Sequence, residues 1–187
     1  QLFLTNCISF DYKNDLKLFA FLLPMEYVFE DFIFGFIDKE LEQVTAKAQR
    51  SDTYLDQGKA FNLKPDLWLK TDYKSLIADT KYKIVYSDAK DPKKGVSQND
   101  LYQMLAYAVR FEVDEIILFY PNTIKQGQEE QTELTIKDAL ADGKEILIRA
   151  FQLPIINREL LETDLKTNTD LSELFESTRL ELINKIE

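Results

Sequence analysis

Two acidic residues and a lysine lie within one alternating stretch, LKPDLWLKTDYKSLIADTKYK, at residues 63–83. The alternation of apolar and polar residues predicts two strands that pair as a hairpin, with a turn near residues 72–73. In such a hairpin Asp66 faces Asp79, and Lys81 points to the same face as Asp79. Two bare carboxylates directly opposite each other destabilise a strand pair, so the pattern predicts a compensating cation.

Phosphodiester hydrolysis is the chemistry that this arrangement favours. Lys81 supplies one cation, and a hard divalent metal such as Mg²⁺ would supply another, because it binds one or two carboxylates and keeps several waters. The metal would polarise a phosphate oxygen and lower the pKa of a bound water. The lysine would orient that water or stabilise the charge that develops on phosphorus. A surface hairpin with a solvated lysine and solvated acids fits the spacing equally well.

Composition narrows the possible chemistry further. The chain has 187 residues, 45% of them hydrophobic, which is enough for the core of one domain. It has no histidine and one cysteine, Cys7, which excludes a Cys/His zinc site, an internal disulfide and histidine acid–base catalysis. A formal charge of -10 argues against non-specific coating of nucleic acid, although a locally basic groove remains compatible with it.

The apolar stretches of the sequence are much shorter than the roughly 18 to 20 residues that cross a bilayer. No basic and then apolar leader opens the chain, so we expect a cytoplasmic protein without a membrane partner. The chain begins at Gln1 rather than Met, which suggests a part of a longer protein.

The order of secondary structure predicts an α/β fold with a mixed central sheet flanked by helices. Apolar residues at helical spacing predict a helix over residues 23–49, and its many aromatic residues predict burial on more than one side. The following stretch predicts an antiparallel meander over residues 54–83. After a charged loop, a helix over residues 98–111 and a buried strand over residues 112–121 indicate a crossover unit. Two more strands and a helical tail complete the chain.

Several motifs in order give the strongest signal. Pro65-Asp66 followed by Asp79-Thr80-Lys81 resembles the PD-(D/E)XK nuclease motif. The next helix carries QMLAY, which resembles the QxxxY element of RecB-like nucleases. The whole series PMEYVFEDFI, KPDLWLK, IADTKYK, NDLYQMLAYA and LFYP, over roughly residues 23–121, is similar to the C-terminal nuclease region of the McrC family, the endonuclease subunit of McrBC modified-cytosine restriction systems.

The resemblance implies a restriction-endonuclease-like fold and assigns roles to four residues. Asp66 and Asp79 would be ligands of Mg²⁺, for which Mn²⁺ would substitute, and Lys81 would be the catalytic lysine. Glu30, in VFED, matches the acidic residue on the helix before the sheet and would join the catalytic set. A solvated helix acid explains Glu30 about as well, because neighbouring acids on other turns offer the same chemistry.

Residues around these four would support the site or contact DNA. Gln103 and Tyr107, four residues apart and therefore on one helix face, would hold the site or touch the DNA backbone, although they also fit a surface pair. The one cluster of lysines near the hairpin would bind phosphates at the mouth of the site, unless it belongs to an ordinary solvated loop. It consists of Lys83, Lys90, Lys93 and Lys94.

The resemblance also implies partners and a domain organisation. The substrate would be DNA, and the partner an McrB-like AAA+ GTPase, since the chain has no GxxxxGK[ST] phosphate loop of its own. We expect a single nuclease domain over residues 1–187, with a core at about 23–121 and further strands and a helix at 122–187. It would form the C-terminal part of a longer chain. A RecB-like repair or CRISPR-associated nuclease, or an inactive nuclease-fold scaffold or DNA-binding subunit, are the alternatives.

Overall fold

The computed structural model describes residues 7–12, 16–21, 23–48, 52–83, 92–93, 95–122, 131–138, 143–155 and 168–186. Within these residues the chain forms ten strands and three helices. In chain order they are β1 (Cys7–Tyr12), β2 (Leu16–Phe21), α1 (Met25–Glu40), β3 (Thr45–Ala48), β4 (Thr53–Tyr54), β5 (Asn62–Leu63), β6 (Leu67–Lys70), β7 (Ser75–Thr80), α2 (Gln98–Phe111), β8 (Glu115–Pro121), β9 (Gln131–Asp138), β10 (Lys144–Leu153) and α3 (Asn168–Ile186).

A six-stranded mixed sheet forms the centre of the molecule, with strand order β3-β6-β7-β8-β10-β9. Strands β7, β8 and β10 run parallel to one another, and the remaining neighbours are antiparallel. Because β9 and β10 belong to this sheet, these two strands extend the same core as the predicted nuclease motifs. Two separate hairpins, β1–β2 and β4–β5, lie outside the central sheet. No helix in the described part of the chain is long and apolar enough to cross a membrane.

Helices cover both faces of the sheet. On one face, α1 and α3 pack on side chains such as Ala78 and Phe119. On the other face, α2 packs through Met104 and Tyr107 against a cluster that includes Ile77. Strand β8 is buried along its whole length, as expected for a strand covered on both faces. This burial confirms the predicted strand–helix–strand crossover, since β7 and β8 pair in parallel on either side of α2.

The first helix is shorter than predicted. It ends at Glu40, and Leu41 takes an extended conformation while its backbone N–H still bonds the carbonyl of Ile37. Residues predicted to continue the helix form β3 instead, which pairs antiparallel with β6. Backbone pairing with the open edge of the sheet therefore outweighs helical periodicity in this segment, and the prediction of a helix to residue 49 is wrong.

Burial of α1 is also one-sided. Phe29, Ile33 and Ile37 are buried against the sheet, whereas Phe32, on the outer side, keeps 45% of its surface exposed. The prediction that the aromatic residues are buried on more than one side is therefore wrong. A similar division appears on α3, where Leu174 and Leu182 are buried and Phe175 is exposed.

The hairpin of β6 and β7 has the predicted register. Leu67 pairs with Ala78, and Lys70 pairs with Ser75. The turn is closed by a hydrogen bond of 2.9 Å from the backbone N–H of Thr71 to the carbonyl of Lys74. The alternation of side chains then directs residues 77 and 79 toward α2 and residues 76 and 78 toward α1.

Candidate active site

Asp66 lies at the open end of the β6–β7 hairpin, one residue before β6 begins. Its Oδ2 accepts hydrogen bonds from the backbone N–H of Thr80 at 2.7 Å and from the Thr80 hydroxyl at 2.8 Å. The observed register, continued by one residue, brings Asp66 opposite Asp79. Both hydrogen bonds use Oδ2, so neither engages Oδ1 of Asp66. The hairpin thus holds the Asp66 carboxylate against Thr80, the residue that follows Asp79.

Asp79 is the buried member of the carboxylate pair, with 1% of its surface exposed. Burial raises the pKa of Asp79 to about 7, and repulsion from Asp66 adds to the rise, while Lys81 partly offsets both. Oδ2 of Asp79 forms an ion pair with the Lys81 ammonium. It accepts no hydrogen bond of regular geometry from the described residues. The negative charge that Asp79 carries when it is ionised is therefore only partly compensated by Lys81.

Lys81 is held in place at both of its ends. Its backbone N–H donates to the carbonyl of Phe119 on β8 at 2.8 Å. Its ammonium donates to Oε1 of Gln103 at 3.0 Å, in addition to the ion pair with Asp79. Gln103 in turn donates from Nε2 to the hydroxyl oxygen of Tyr107 at 2.8 Å. An ammonium can only donate, so this chain of contacts fixes which end of the Gln103 amide faces the lysine.

The buried hydroxyl of Tyr107 is kept neutral by its surroundings. Burial raises the pKa of Tyr107 above its ordinary value, and the negative charge of Asp79 raises it further. A hydroxyl in this state accepts and donates hydrogen bonds but does not act as a base near neutral pH. Gln103 and Tyr107, the predicted QxxxY pair, are joined to each other and to the Lys81 ammonium by hydrogen bonds.

A second charged cluster lies beside the first, and the sequence did not predict it. The ammonium of Lys83 forms an ion pair with Asp100 Oδ2 and lies 3.3 Å from the Ser97 hydroxyl oxygen. The buried hydroxyl of Tyr120 donates to the same oxygen of Asp100 at 3.0 Å. Lys83 also lies over the Tyr120 ring, 5.9 Å from its centroid. The available signal was the Ser97 cap, whose hydroxyl accepts from the backbone N–H of Asp100 and so fixes the first turn of α2.

This cluster affects the prediction that lysines near the hairpin bind phosphates. Lys83 directs its ammonium to Asp100, so a role in phosphate binding would require it to exchange partners. Lys93 lies in a turn that lines a cavity of about 290 Å³ beside Tyr102 and Leu134. Two further lysines of the predicted group, Lys90 and Lys94, fall outside the described residues. Phosphate binding by these lysines stays a prediction.

Glu30 lies on another helix than Gln103 and Tyr107. It is half-buried on α1, which packs on the sheet face opposite α2. Its neighbour Phe29 contacts the ring of Tyr82, with centroids 5.8 Å apart. Among the described residues no three Asp, Glu or Cys side chains converge to hold a metal ion. Glu30 is therefore not placed as a third ligand beside Asp66 and Asp79, and its catalytic role stays a prediction.

Comparison with known proteins identifies the family. A family model for the McrBC 5-methylcytosine restriction system component matches residues 1–121. The comparison with curated proteins gives no match. Among solved structures, a chain of the refined half-complex from the tetradecameric assembly of Thermococcus gammatolerans McrB AAA+ hexamers with bound McrC is similar, with a TM-score of 0.56 and 18% sequence identity.

The structural match covers 89% of this chain and 34% of the other, so this chain spans about a third of that protein's length. At this identity the match bears on the fold, and it confirms the predicted restriction-endonuclease-like α/β architecture. The family match covers well over half of the sequence, and it includes the motifs of Asp66, Asp79 and Lys81. The protein is thus a member of the McrC family, a component of McrBC 5-methylcytosine restriction systems.

Proposed function

We propose that this protein is the metal-dependent endonuclease subunit of an McrBC-like restriction system and hydrolyses DNA phosphodiesters. The observation that carries the proposal is the buried carboxylate of Asp79, which faces Asp66 and forms an ion pair with Lys81. A carboxylate whose charge is this poorly compensated is costly to the fold, and such groups concentrate at functional sites. A divalent cation would relieve the cost.

The two aspartates fit Mg²⁺ in number and in kind. Oδ2 of Asp79 pairs with the Lys81 ammonium but accepts no regular hydrogen bond from the residues that the structure describes, and Oδ1 of Asp66 is outside both hydrogen bonds from Thr80. Mg²⁺ is usually held by one or two carboxylates, with waters and substrate phosphate oxygens completing its shell, so a third acidic ligand is not required. When bound there, the metal would polarise a phosphate oxygen and lower the pKa of a water.

The remaining side chains position charge around the scissile phosphate. Lys81 would shift its ammonium from Asp79 toward the phosphate, where it stabilises the negative charge that develops during hydrolysis. Gln103 keeps that ammonium near the site through its amide oxygen, and Tyr107 holds the amide in the required orientation. Thr80 keeps Asp66 in place through its backbone and its hydroxyl.

A partner would supply the energy and the recognition of modified cytosine. The chain has no phosphate-binding GxxxxGK[ST] loop, so GTP hydrolysis has to come from elsewhere. The similar structure is described as McrB AAA+ hexamers with bound McrC, which favours an McrB-like AAA+ GTPase as the partner of this chain as well.

Cleavage of modified and unmodified plasmid DNA tests the proposal. The purified protein is incubated with Mg²⁺ or Mn²⁺, alone and together with an McrB-like GTPase encoded beside it and GTP. We expect cleavage that needs the metal and Asp79, and that needs the GTPase. The matched control is Asp72→Asn, which removes an exposed carboxylate from the turn of the same hairpin.

Each other result of this assay has a definite meaning. Cleavage by the protein alone, without the GTPase or GTP, would favour a RecB-like repair or CRISPR-associated nuclease. Absence of cleavage under every condition, with an assembled complex verified, would contradict the proposal and favour an inactive nuclease-fold scaffold. A metal titration separates the last case, because a scaffold would bind Mn²⁺ equally well before and after Asp79→Ala.

A further inference from the structure

A small hairpin beside the two aspartates presents exposed apolar side chains on an ordered loop. Strands β4 and β5 pair through Thr53 with Leu63 and Tyr54 with Asn62. The loop between them exposes Phe61, with 67% of its surface accessible, and most of Leu55 is accessible beside it. Phe61 and Leu55 together form a small exposed apolar patch on this loop, close in sequence to Asp66, which favours a binding surface.

The loop is held rigid by its own hydrogen bonds. The Asp56 carboxylate accepts from the backbone N–H groups of Ala60 at 3.0 Å and Phe61 at 2.9 Å. These hydrogen bonds, with that of Phe61 the largest cause, hold the pKa of Asp56 below its ordinary value. The backbone N–H of Leu55 donates to the carbonyl of Phe61 at 2.8 Å. Phe61 is therefore presented in a fixed position, and binding through it costs little conformational entropy.

The hairpin is also fastened to the elements that carry the site. Arg110, on α2, donates from Nε to the carbonyl of Tyr54 at 2.7 Å. Leu63 is buried in the same cluster as Tyr107. From Leu63 the chain continues through Lys64 and Pro65 directly to Asp66. The position of Phe61 relative to the aspartates is thus set by secondary structure on both sides.

The chain itself limits how far Phe61 is from the site. Phe61 precedes Asp66 by five positions, and an extended chain spans at most about 3.5 Å per residue, so their Cα atoms are within about 18 Å. That distance corresponds to about five base pairs along a duplex. The loop is therefore near enough to the site to contact a duplex whose phosphate is bound at Asp66 and Asp79.

Charge near the loop favours DNA as its partner. Lys59 and Lys64 are exposed on either side of Phe61. The negative charge of Asp56 faces the backbone N–H groups of its own loop. An apolar side chain flanked by cations is the combination that architectural DNA-binding proteins insert between base steps, where the apolar group unstacks bases and the cations bind phosphates.

We propose that Phe61 is a DNA-contacting wedge, which inserts at a base step within about five base pairs of the scissile phosphate. The inference rests on the proposed function, because it requires DNA to be the substrate of the Asp66–Asp79 site. Leu55 would support the Phe61 ring, and Lys59 and Lys64 would bind the adjoining phosphates.

The test measures binding to a short fluorescent duplex under conditions that prevent cleavage. Every protein carries Asp79→Asn, and binding is followed by anisotropy for the parent protein, Phe61→Ala and Phe61→Lys. Tyr73→Ala is the matched control, because Tyr73 is 96% exposed but lies in the turn between β6 and β7, at the end of that hairpin away from Asp66. Thermal unfolding of each variant checks that the fold is unchanged.

We expect Phe61→Ala to weaken binding by about tenfold or more, as is typical of lost base stacking, and Tyr73→Ala to change it by less than about twofold. Phe61→Lys should also weaken binding, whereas a purely electrostatic surface would bind more tightly with the added charge. The slope of affinity against salt should be the same for Phe61→Ala as for the parent, because Phe61 neutralises no phosphate. In duplexes that carry 2-aminopurine at successive positions, fluorescence should increase at one base step, and this increase should require Phe61.

Other outcomes overturn the inference and are distinguishable from failure of the proposed function. Parent and Phe61→Ala proteins that bind DNA equally would overturn the wedge and leave the nuclease proposal intact. A parent protein that binds no DNA either alone or assembled with the GTPase and GTP would contradict both. A Phe61→Ala protein that binds DNA normally but no longer assembles with the GTPase would assign the loop to a protein contact instead.

Discussion

Asp79 and Asp100 are both buried, and each forms an ion pair with a lysine from the segment that follows β7. Burial raises the pKa of Asp100, but hydrogen bonds from Lys83 and Ser97 outweigh burial, and the pKa of Asp100 is lowered. At Asp79, burial and the nearby Asp66 outweigh Lys81, and the pKa of Asp79 is raised to about 7. Two similar pairs therefore have opposite electrostatic balances.

The difference lies in the neutral hydrogen-bond donors and in the second carboxylate. Tyr120 donates to Asp100, whereas Asp79 has Asp66 opposite it, and its Oδ2 accepts no regular hydrogen bond within the part of the chain that the structure describes. The pair of Asp100 and Lys83, in which hydrogen bonds compensate the buried carboxylate, holds the start of α2 against the chain after β7. An unsatisfied pair destabilises the fold and is kept, in our interpretation, for the cation that it binds. Hydrogen-bond completeness thus separates a structural ion pair from a candidate catalytic one.

The largest expected effect is on catalysis. Asp79→Asn and Lys81→Ala should each reduce DNA cleavage by about 10³-fold or more, because the first removes a proposed metal ligand and the second removes the ammonium proposed to stabilise charge on the phosphate. Asp100→Asn, which keeps most of the hydrogen-bonding geometry of its cluster, should lose far less. Initial rates of plasmid linearisation, measured at matched folding, compare the three. If Asp79→Asn kept activity within about tenfold of the parent, the proposed difference in role between Asp79 and Asp100 would be wrong.

The next effect is on stability at Asp100. Asp100→Ala leaves the Tyr120 hydroxyl buried without its acceptor and takes the ion-pair partner from Lys83. We expect a loss of about 2 kcal/mol in the free energy of unfolding, because the lysine side chain is 41% exposed and solvent screens its share. Urea unfolding followed by circular dichroism measures the change. Asp72→Ala, at an exposed turn position, serves as the control and should be nearly neutral.

The third effect is a gain in the free energy of unfolding when Asp79 is replaced by Asn, and this gain depends on pH. The folded-state pKa of Asp79 lies above its ordinary value of 3.8, so between pH 3.8 and about 7 the folded protein retains a proton that the unfolded chain has released. The stability contributed by neutral Asp79 is full below its unfolded pKa and is lost as the pH rises toward 7. Asp79→Asn, which cannot ionise, should therefore gain stability relative to the parent as the pH rises.

Urea unfolding in EDTA at pH 5 and pH 8 measures that gain. The advantage of Asp79→Asn over the parent should grow by about 2 kcal/mol between the two pH values, since one pKa unit corresponds to about 1.4 kcal/mol. Asp100→Asn should cost about the same at the two pH values, because the lowered pKa of Asp100 leaves it ionised and paired at pH 5 as well as at pH 8. Equal pH dependence of the two variants would show that their environments do not differ as described.

The smallest effects concern the residues that orient Lys81. Gln103→Ala removes the acceptor of the Lys81 ammonium, and Tyr107→Phe removes the hydroxyl that holds the amide. Each should lower the rate of cleavage by roughly 3- to 10-fold with little change in DNA affinity, because the lysine remains present but less well oriented. Gln98→Ala, at an exposed position in the first turn of the same helix, is the control.

Much of the candidate site was predictable because its geometry is local. The register that brings Asp66 opposite Asp79 follows from side-chain alternation around a short turn, and the start of α2 follows from Ser97 as its cap. The Lys83–Asp100 pair was not predictable in the same way. It forms only because β7 and α2 meet in space, and the intervening sequence contains no pattern that specifies the contact.

The errors in the fold have a similar origin. Helical periodicity continues past Glu40, but the exposed edge of β6 offers backbone hydrogen bonds that a sequence pattern does not reveal. Aromatic density on α1 indicated burial, yet the number of layers that cover a helix depends on the whole topology. Phe32 is therefore exposed, although its sequence neighbours Phe29 and Ile33 are buried.

The turn of the β6–β7 hairpin has a practical consequence for protein engineering. The backbone pairing of Leu67 with Ala78, rather than the turn itself, fixes the separation of the two aspartates. Deleting one residue from β7 before Asp79 would send Asp79 to the opposite face of the sheet, and deleting one from β6 would do the same to Asp66, because the side chains of a strand alternate. The turn near Tyr73 is exposed and remote from the aspartates, so a fluorescent tag or peptide epitope grafted there should leave the chemistry of the hairpin's other end unchanged.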